Sequence, residues 1–229
     1  MSRLGKFFQM DNPVMVTLTR ITDILWVSLI FLAFCIPIIT IGDAITSLYY
    51  VCSKVIRHGE SYVWREFWRS FKTNFKQATI YWVAVVLIYI LLIWNINYLG
   101  LNSSTREGMG SVLAAIYLVV MLILACLTLN VFPIISRFDN KFTMTLRFGL
   151  FCTFRHCVHT LILFLMVFFA GMLVYVQWGT PTMIFSIFLP GLVGFLSTYP
   201  MDHVLKKYQP KRELKYDESG NPIRMWYDD

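Results

Sequence analysis

Charged residues are scarce in this chain. Only 14% of its 229 residues are Asp, Glu, Lys or Arg, whereas soluble domains carry about 25%. Hydrophobic residues make up 57%, and the mean hydropathy is +0.61. A soluble protein of this length would need far more polar surface. This shortage of charge excludes an ordinary soluble domain and indicates an integral membrane protein.

Catalytic and nucleotide-binding motifs are also missing. No glycine-rich phosphate loop ending in Gly-Lys-Ser/Thr occurs, which excludes an ATPase subunit. No Gly-x-Ser-x-Gly or His-Glu-x-x-His motif occurs, which disfavours the common hydrolase chemistries. The five cysteines lie in or beside apolar stretches, so we expect no disulfides. We expect neither an enzyme nor a cofactor.

Long apolar stretches are what the sequence does contain. They predict an all-α fold, a polytopic membrane helix bundle over residues 1–205 with amphipathic cytoplasmic interfacial helices. About six transmembrane helices are expected, at residues 21–36, 38–56, 79–101, 111–135, 157–178 and 182–204. Residues 206–229 form a cytoplasmic C-terminal tail, for which a β-hairpin and a solvated, disordered segment both remain open.

The distribution of Lys and Arg favours six spans over five. With six spans, 19 of the 20 basic residues lie on one side, and only Arg106 lies on the other. Treating residues 21–56 as a single span makes the division 16 to 4. Because short cytoplasmic loops carry the excess of basic residues, the six-span model with both termini in the cytoplasm is preferred.

One amphipathic stretch, residues 62–78, stands out, and we name it the shelf. Its aromatic residues share one side of a helix and its basic residues share another, as in helices that lie at a membrane surface. Two interpretations are open: an anchor on anionic lipids, or a docking surface for a partner's cytoplasmic helix. The residues assigned to partner or lipid binding are Trp64, Arg65, Phe67, Trp68, Arg69, Phe71, Lys72, Phe75 and Lys76. Beside a bilayer such aromatic residues form an interfacial belt, so no nucleic-acid surface is expected.

A structural turn is predicted in the segment PIITIGDA, residues 37–44, at Pro37, Thr40 and Gly42. Glycine is expected there either for a positive φ or for the close approach of two helices.

Polar residues in or beside the spans offer little chemistry. Cys152, His156 and His159 share a helix face and could ligate zinc or copper. We favour the simpler interpretation that they line the end of the fifth span, and we predict no metal site. Asn130 is expected to form hydrogen bonds across helices. We identify no carboxylate in the middle of a span, so a proton-coupled carrier has no evident driving group.

Residues 28–44, SLIFLAFCIPIITIGDA, and residues 47–78, SLYYVCSKVIRHGESYVWREFWRSFKTNFKQA, carry a family resemblance. The turn, the Tyr-Tyr helix and the Phe-rich basic segment occur together, as in the YesL-like bacterial integral membrane proteins, a family defined by a domain of unknown function. The sequence departs from this pattern at Asp43, where the family is expected to have Pro.

The resemblance implies an association with carbohydrate ABC importers in the cell membrane of Gram-positive bacteria, without a catalytic role. The short Glu-Ala-Ala loop by which ABC permeases engage their ATPase is missing. We therefore expect an auxiliary subunit that binds the permease subunits, and possibly the ATPase, and aids assembly or activity. An independent carrier or channel for a small solute is the alternative, and a membrane enzyme is disfavoured.

Overall fold

The computed structural model describes residues 13–57, 59, 62–101, 109–138 and 142–208. This part of the chain is almost entirely helical and contains no strand. The seven α-helices are α1 Pro13–Cys35, α2 Ile41–Val51, α3 Val63–Leu101, α4 Met109–Arg137, α5 Phe142–Arg155, α6 Cys157–Val176 and α7 Leu189–Tyr208. A π-helical turn, Cys52–Arg57, extends α2, and 3-10 turns at Ile38–Thr40 and Pro181–Phe188 precede α2 and α7.

Within the described ranges, five helices are long and apolar enough to cross a membrane, and they fit a multi-pass membrane protein. Their apolar segments are Met15–Cys35, Val63–Tyr98, Val112–Arg137, Cys157–Val176 and Ile184–Tyr208. The all-α class predicted from the sequence is confirmed. The predicted span at 38–56 corresponds to the 3-10 turn, α2 and most of the π-helical turn, which is not among the five. Its crossing of the membrane, like the placement of both termini in the cytoplasm, stays a prediction.

The shortest apolar helix, α2, is the centre of the bundle. Eight of its eleven residues are buried, and it contacts α1, α3, α4 and α7. Its apolar side chains Leu48 and Val51 join a core cluster with residues of α1 and of the start of α3. Burial on several sides explains why residues 38–56 do not look like a lipid-facing span.

The longest helix, α3, unites the shelf with the predicted span at 79–101. Its 39 residues extend about 58 Å at 1.5 Å per residue, roughly twice the ~30 Å hydrocarbon core of a bilayer. Large exposed apolar side chains follow one another in the part of the helix after the shelf, including Ile80, Leu87, Leu91 and Trp94. The helix is therefore long enough to cross the apolar layer and still carry the shelf beyond it.

A second amphipathic helix, α5, lies against α4 and ends where the chain changes direction. His156, with φ −116° and ψ 47°, separates α5 from α6. Asn130 of α4 donates hydrogen bonds to Thr153 Oγ1 of α5 at 3.2 Å and to Thr160 Oγ1 of α6 at 3.1 Å. The predicted interhelical role of Asn130 is confirmed. Of the predicted C-terminal tail, 206–208 still belong to α7 and the remainder lies outside the described residues.

Candidate functional site

The outward face of the shelf combines stacked indole rings with free cations. Trp64 and Trp68 are 54% and 38% exposed, and their rings stack with centroids 6.2 Å apart and planes 5° from parallel. The Lys72 ammonium lies 5.0 Å from the Trp68 ring centroid. The exposed basic residues of this face are Arg65, Arg69, Lys72 and Lys76, and none of them forms a salt bridge within the described part of the chain.

The inward face of the shelf belongs to the hydrophobic core. Phe67 is completely buried and Phe71 nearly so. Both rings contact Phe34 of α1, at centroid distances of 5.3 and 4.8 Å. The sequence assigns Phe67 and Phe71 to the docking surface, but the structure places them inside because α1 and α2 cover this side. The outward surface therefore consists of Trp64, Trp68, Phe75 and the four cations.

A buried ion pair joins the shelf to the end of α2. Lys54 Nζ lies 2.9 Å from Glu66 Oε2, and both side chains are almost inaccessible to solvent. Lys54 also donates to the Tyr50 hydroxyl at 3.5 Å. Burying two charges is unfavourable unless they are paired, so this contact restricts how the shelf can rotate about its axis. It keeps Phe67 and Phe71 inward and Trp64 and Trp68 outward.

A second buried ion cluster joins the ends of α2, α4 and α7. Asp202 forms salt bridges with both Arg57 and Arg137. Arg137 donates to Ser53 Oγ at 2.7 Å, and Arg57 donates to the Thr198 carbonyl at 3.2 Å. These contacts converge from three helices, so the cluster determines how the ends of those helices are arranged beside the shelf.

Sequence reasoning did not single out Glu66 or Asp202. A signal for Asp202 was available, because it lies in the predicted span at 182–204 and ionisable residues within spans usually have a partner. The partners themselves could not be identified, since Arg57 and Arg137 are far away in the sequence.

Three histidines gather where α5, α6 and α7 meet. The His159 ring stacks on His203 at 5.6 Å and contacts His156 at 5.7 Å. His156 Nε2 lies 3.0 Å from the Tyr208 hydroxyl. Burial, and then the positive neighbours His159, Lys207, Arg155 and His203, lower the pKa of His156. In the described ranges no set of three His, Cys, Asp or Glu side chains is placed to hold a metal ion.

The predicted structural turn is a compact connection between α1 and α2. Pro37 begins it, and Thr40 Oγ1 donates to the carbonyls of Phe34 at 2.7 Å and Pro37 at 2.8 Å. Gly42 lies in the first turn of α2, and its φ is not positive. A Cβ at Gly42 would lie 2.5 Å from Trp82 Cβ and 3.0 Å from the Ala78 carbonyl. Close helix approach is thus what requires glycine here.

A cavity of about 560 Å³ lies among α1, α2, α4, α6 and α7. Its lining is almost wholly apolar and includes Phe31, Leu48, Phe132, Val167 and Val193. Carbohydrate hydroxyls buried there would lose hydrogen bonds to water without replacing them. The cavity suits an apolar occupant and does not suit a sugar.

Comparison with known proteins gives a match between part of this chain and a family model. Residues 20–96, about a third of the chain, match the model of a family described as a protein of unknown function, DUF624. The matched region contains most of α1, all of α2 and the shelf with most of the span that follows it. No curated protein and no solved structure shows a significant match to this chain.

Proposed function

We propose that this protein is a non-catalytic auxiliary subunit of a bacterial carbohydrate ABC importer, and that its shelf docks on the permease. In this proposal the protein lies in the cell membrane with both termini in the cytoplasm. The resemblance to YesL-like proteins supplies the transporter class. The observation that carries the docking role is the outward face of the shelf, where stacked Trp64 and Trp68 lie beside four exposed cations.

The arrangement of this face favours a protein partner over lipid alone. Five candidate spans already hold the chain in a membrane, so an additional lipid anchor contributes little. Tryptophan and arginine are the residues most enriched at the energetic centres of protein interfaces. Because the Lys54–Glu66 pair holds the shelf in one orientation, its helix is already positioned before binding, which lowers the ordering cost. A partner with an apolar groove and an acidic rim would complement it.

Co-purification tests the proposal directly. The tagged full-length protein is isolated from its own host in mild detergent, and its partners are identified by mass spectrometry. We expect two permease chains and an ATPase. Replacing both Trp64 and Trp68 by Ala should reduce recovery of the permease at least tenfold, while the level of the protein in the membrane stays unchanged.

The second amphipathic helix provides the matched control. Phe151 and Phe154 on α5 are also exposed, so replacing both by Ala removes a similar apolar area from a different surface. This variant should keep the partner. Arg65→Gln with Arg69→Gln should weaken the association in a salt-dependent way. If both shelf variants retain the permease at wild-type levels, the shelf is not the docking surface.

An independent carrier or channel is the second candidate, and the cavity is the observation that favours it. Its apolar lining restricts the transported solute to an apolar one. An uptake assay in reconstituted liposomes distinguishes the two candidate functions. Uptake by the protein alone would support the carrier, whereas recovery of an intact importer without such uptake would support the auxiliary subunit.

A further inference from the structure

The first two turns of α2 contain buried polar side chains that form no hydrogen bond with any described residue. Asp43 and Ser47 are both completely inaccessible to solvent. Neither carboxyl oxygen of Asp43, nor Ser47 Oγ, has a hydrogen-bond partner among the described residues. They are four residues apart on one helix and therefore lie on the same face. The sequence placed Asp43 in a turn, but the structure buries it in the bundle.

Glu66 and Asp202 are also buried acidic residues in the described part of the chain, and both are paired with cations. Glu66 is paired with Lys54, and Asp202 is paired with two arginines. Asp43 forms no salt bridge within the described part of the chain. An ionised carboxylate without a partner is strongly disfavoured in an apolar interior. Asp43 therefore carries a proton when α2 is packed as in this structure.

Helix capping does not explain why an aspartate occupies position 43. It occupies the third position of α2, where a carboxylate can accept from the backbone N–H of the cap residue. That residue is Thr40, and its N–H donates instead to the Pro37 carbonyl at 3.1 Å. A structural role at the helix start would require a hydrogen bond that Asp43 does not make.

Among the described residues, the contacts recorded at this first turn are with uncharged groups of α3 and of the preceding 3-10 turn. Ala78 and Trp82 of α3 lie against the neighbouring Gly42. The Trp82 indole N–H donates a hydrogen bond to the Ile38 carbonyl at 2.8 Å, so it is not available to Asp43. The cations on the α2 segment, Lys54 and Arg57, begin about 16 Å further along the helix axis, and both are paired with carboxylates. Lys76, the nearest cation on the facing part of α3, is exposed to solvent.

We propose that Asp43 and Ser47 form a proton-binding site at the start of α2. Asp43 holds the proton, and Ser47 provides the nearby hydroxyl that can accept from it or donate to it. Release of the proton leaves a charge that the packed interior cannot accommodate, so the start of α2 must separate from α3 and admit water. Because the shelf contacts this segment through Ala78, beside Gly42, and through Glu66, beside Lys54, proton release is coupled to the position of the shelf. This proposal does not depend on which partner binds there.

Thermal unfolding of the purified full-length protein in neutral detergent provides the first test. The native state keeps the Asp43 proton at pH values where the unfolded chain has lost it, so native stability falls as pH rises. We expect the wild-type melting temperature to decrease between pH 6 and pH 9. Asp43→Asn mimics the protonated form and should abolish this decrease. At pH 9 the variant should melt about 3 °C or more above the wild type, and this difference should shrink steadily as the pH is lowered toward the unfolded pKa of about 3.9.

Three results would contradict the proposal in this experiment. One is equal pH dependence in wild type and Asp43→Asn. Another is a variant that is less stable than the wild type at every pH. The third is restoration of wild-type stability at pH 9 by sodium ions, with no effect on the variant, since the site would then bind a metal cation.

Carbodiimide labelling of the wild-type protein gives a second test that needs no variant. Dicyclohexylcarbodiimide is apolar and reacts with protonated carboxyl groups. Mass spectrometry of the digested protein should show modification of Asp43 at pH 6 and at least fivefold less at pH 9. Glu66 and Asp202, which are paired with cations, serve as internal controls and should remain unmodified. Labelling of Glu66 and Asp202 without labelling of Asp43 would refute the proposed site.

Discussion

The shelf and α5 share an amphipathic, aromatic and basic character, yet the fold uses them differently. The shelf is the first part of a helix of 39 residues, with no break before the apolar segment. In contrast, α5 has 14 residues and ends at His156, where the backbone leaves helical geometry before α6 begins. The shelf is therefore rigidly connected to its membrane segment, whereas α5 is joined to α6 through a bend.

The contacts that hold the two segments also differ. The shelf is held by buried aromatic rings and by the Lys54–Glu66 pair. For α5, the side-chain hydrogen bonds are made by hydroxyls, from Gln77 to Thr145 at 3.0 Å and from Asn130 to Thr153 at 3.2 Å. Aromatic rings also hold α5, where Phe148 contacts Phe138 and Tyr208. However, removing one member of a buried charge pair leaves the other charge uncompensated, which costs more than losing a single neutral hydrogen bond. The shelf is consequently the better-fixed surface, as a docking face should be.

The largest effect is expected from the inward ring of the shelf. Phe67→Ala should lower the free energy of unfolding by about 3–5 kcal/mol, because it leaves a cavity in the core. Trp68→Ala, on the next residue, should cost clearly less because its ring is partly exposed. Denaturant unfolding in detergent measures both. Equal losses would mean that the two faces of the shelf are not distinguished by burial.

The buried ion pair should give the next largest effect. Glu66→Gln leaves Lys54 buried without its counter-charge, at a cost of about 3 kcal/mol. Arg65→Gln, on the adjacent exposed position, should change stability by less than about 0.5 kcal/mol. Replacing Lys54 and Glu66 together by Met should recover most of the loss. If this double variant is no more stable than Glu66→Gln, the loss does not come from an unpaired Lys54.

Gly42 and Gly149 allow the closeness of helix packing beside the shelf to be compared with that at α5. A Cβ at Gly42 would meet Trp82 Cβ at 2.5 Å, and one at Gly149 would meet Val131 Cγ2 at 2.6 Å. The Trp82 Cβ is fixed by its backbone, whereas the Val131 methyl group can shift. Gly42→Ala should therefore cost about 2–3 kcal/mol and Gly149→Ala about 1 kcal/mol.

Gly171 on α6 is the control for these glycine variants, since no atom lies within 4 Å of its added Cβ. Gly171→Ala should cause no loss of stability. Melting temperatures in detergent measure the three variants, and a larger loss for Gly149→Ala than for Gly42→Ala would reverse the expected order.

The smallest effect is a pH dependence at the bend after α5. The pKa of His156 is lowered in the folded protein, so the unfolded chain binds a proton there more readily than the native state does. Stability should therefore decline as pH falls below the unfolded value of about 6.5. His156→Gln should reduce the part of this decline that occurs between pH 7 and pH 5.5. An unchanged pH profile in that range would show that His156 does not contribute.

Much of the shelf could be predicted, but not the division of its aromatic face. Helical spacing places Trp64, Phe67, Trp68 and Phe71 on one side of the helix, and the structure keeps that geometry. Spacing alone cannot show that α1 contributes Phe34 against the same side. Burial of Phe67 and exposure of Trp64 depend on where the neighbouring helices end, and this information is not local to the shelf.

The sequence by itself determined the all-α class, the apolar helices and the basic, aromatic character of the shelf. These properties follow from composition and helical periodicity, which act over a few turns. Only the tertiary structure decided that α2 is buried, that Asp202 is shared by Arg57 and Arg137, and that Asp43 has no hydrogen-bond partner among the residues described. These properties depend on which distant residues meet in an apolar interior. There an unpaired charge is so unfavourable that each acidic side chain must find a cation or keep its proton.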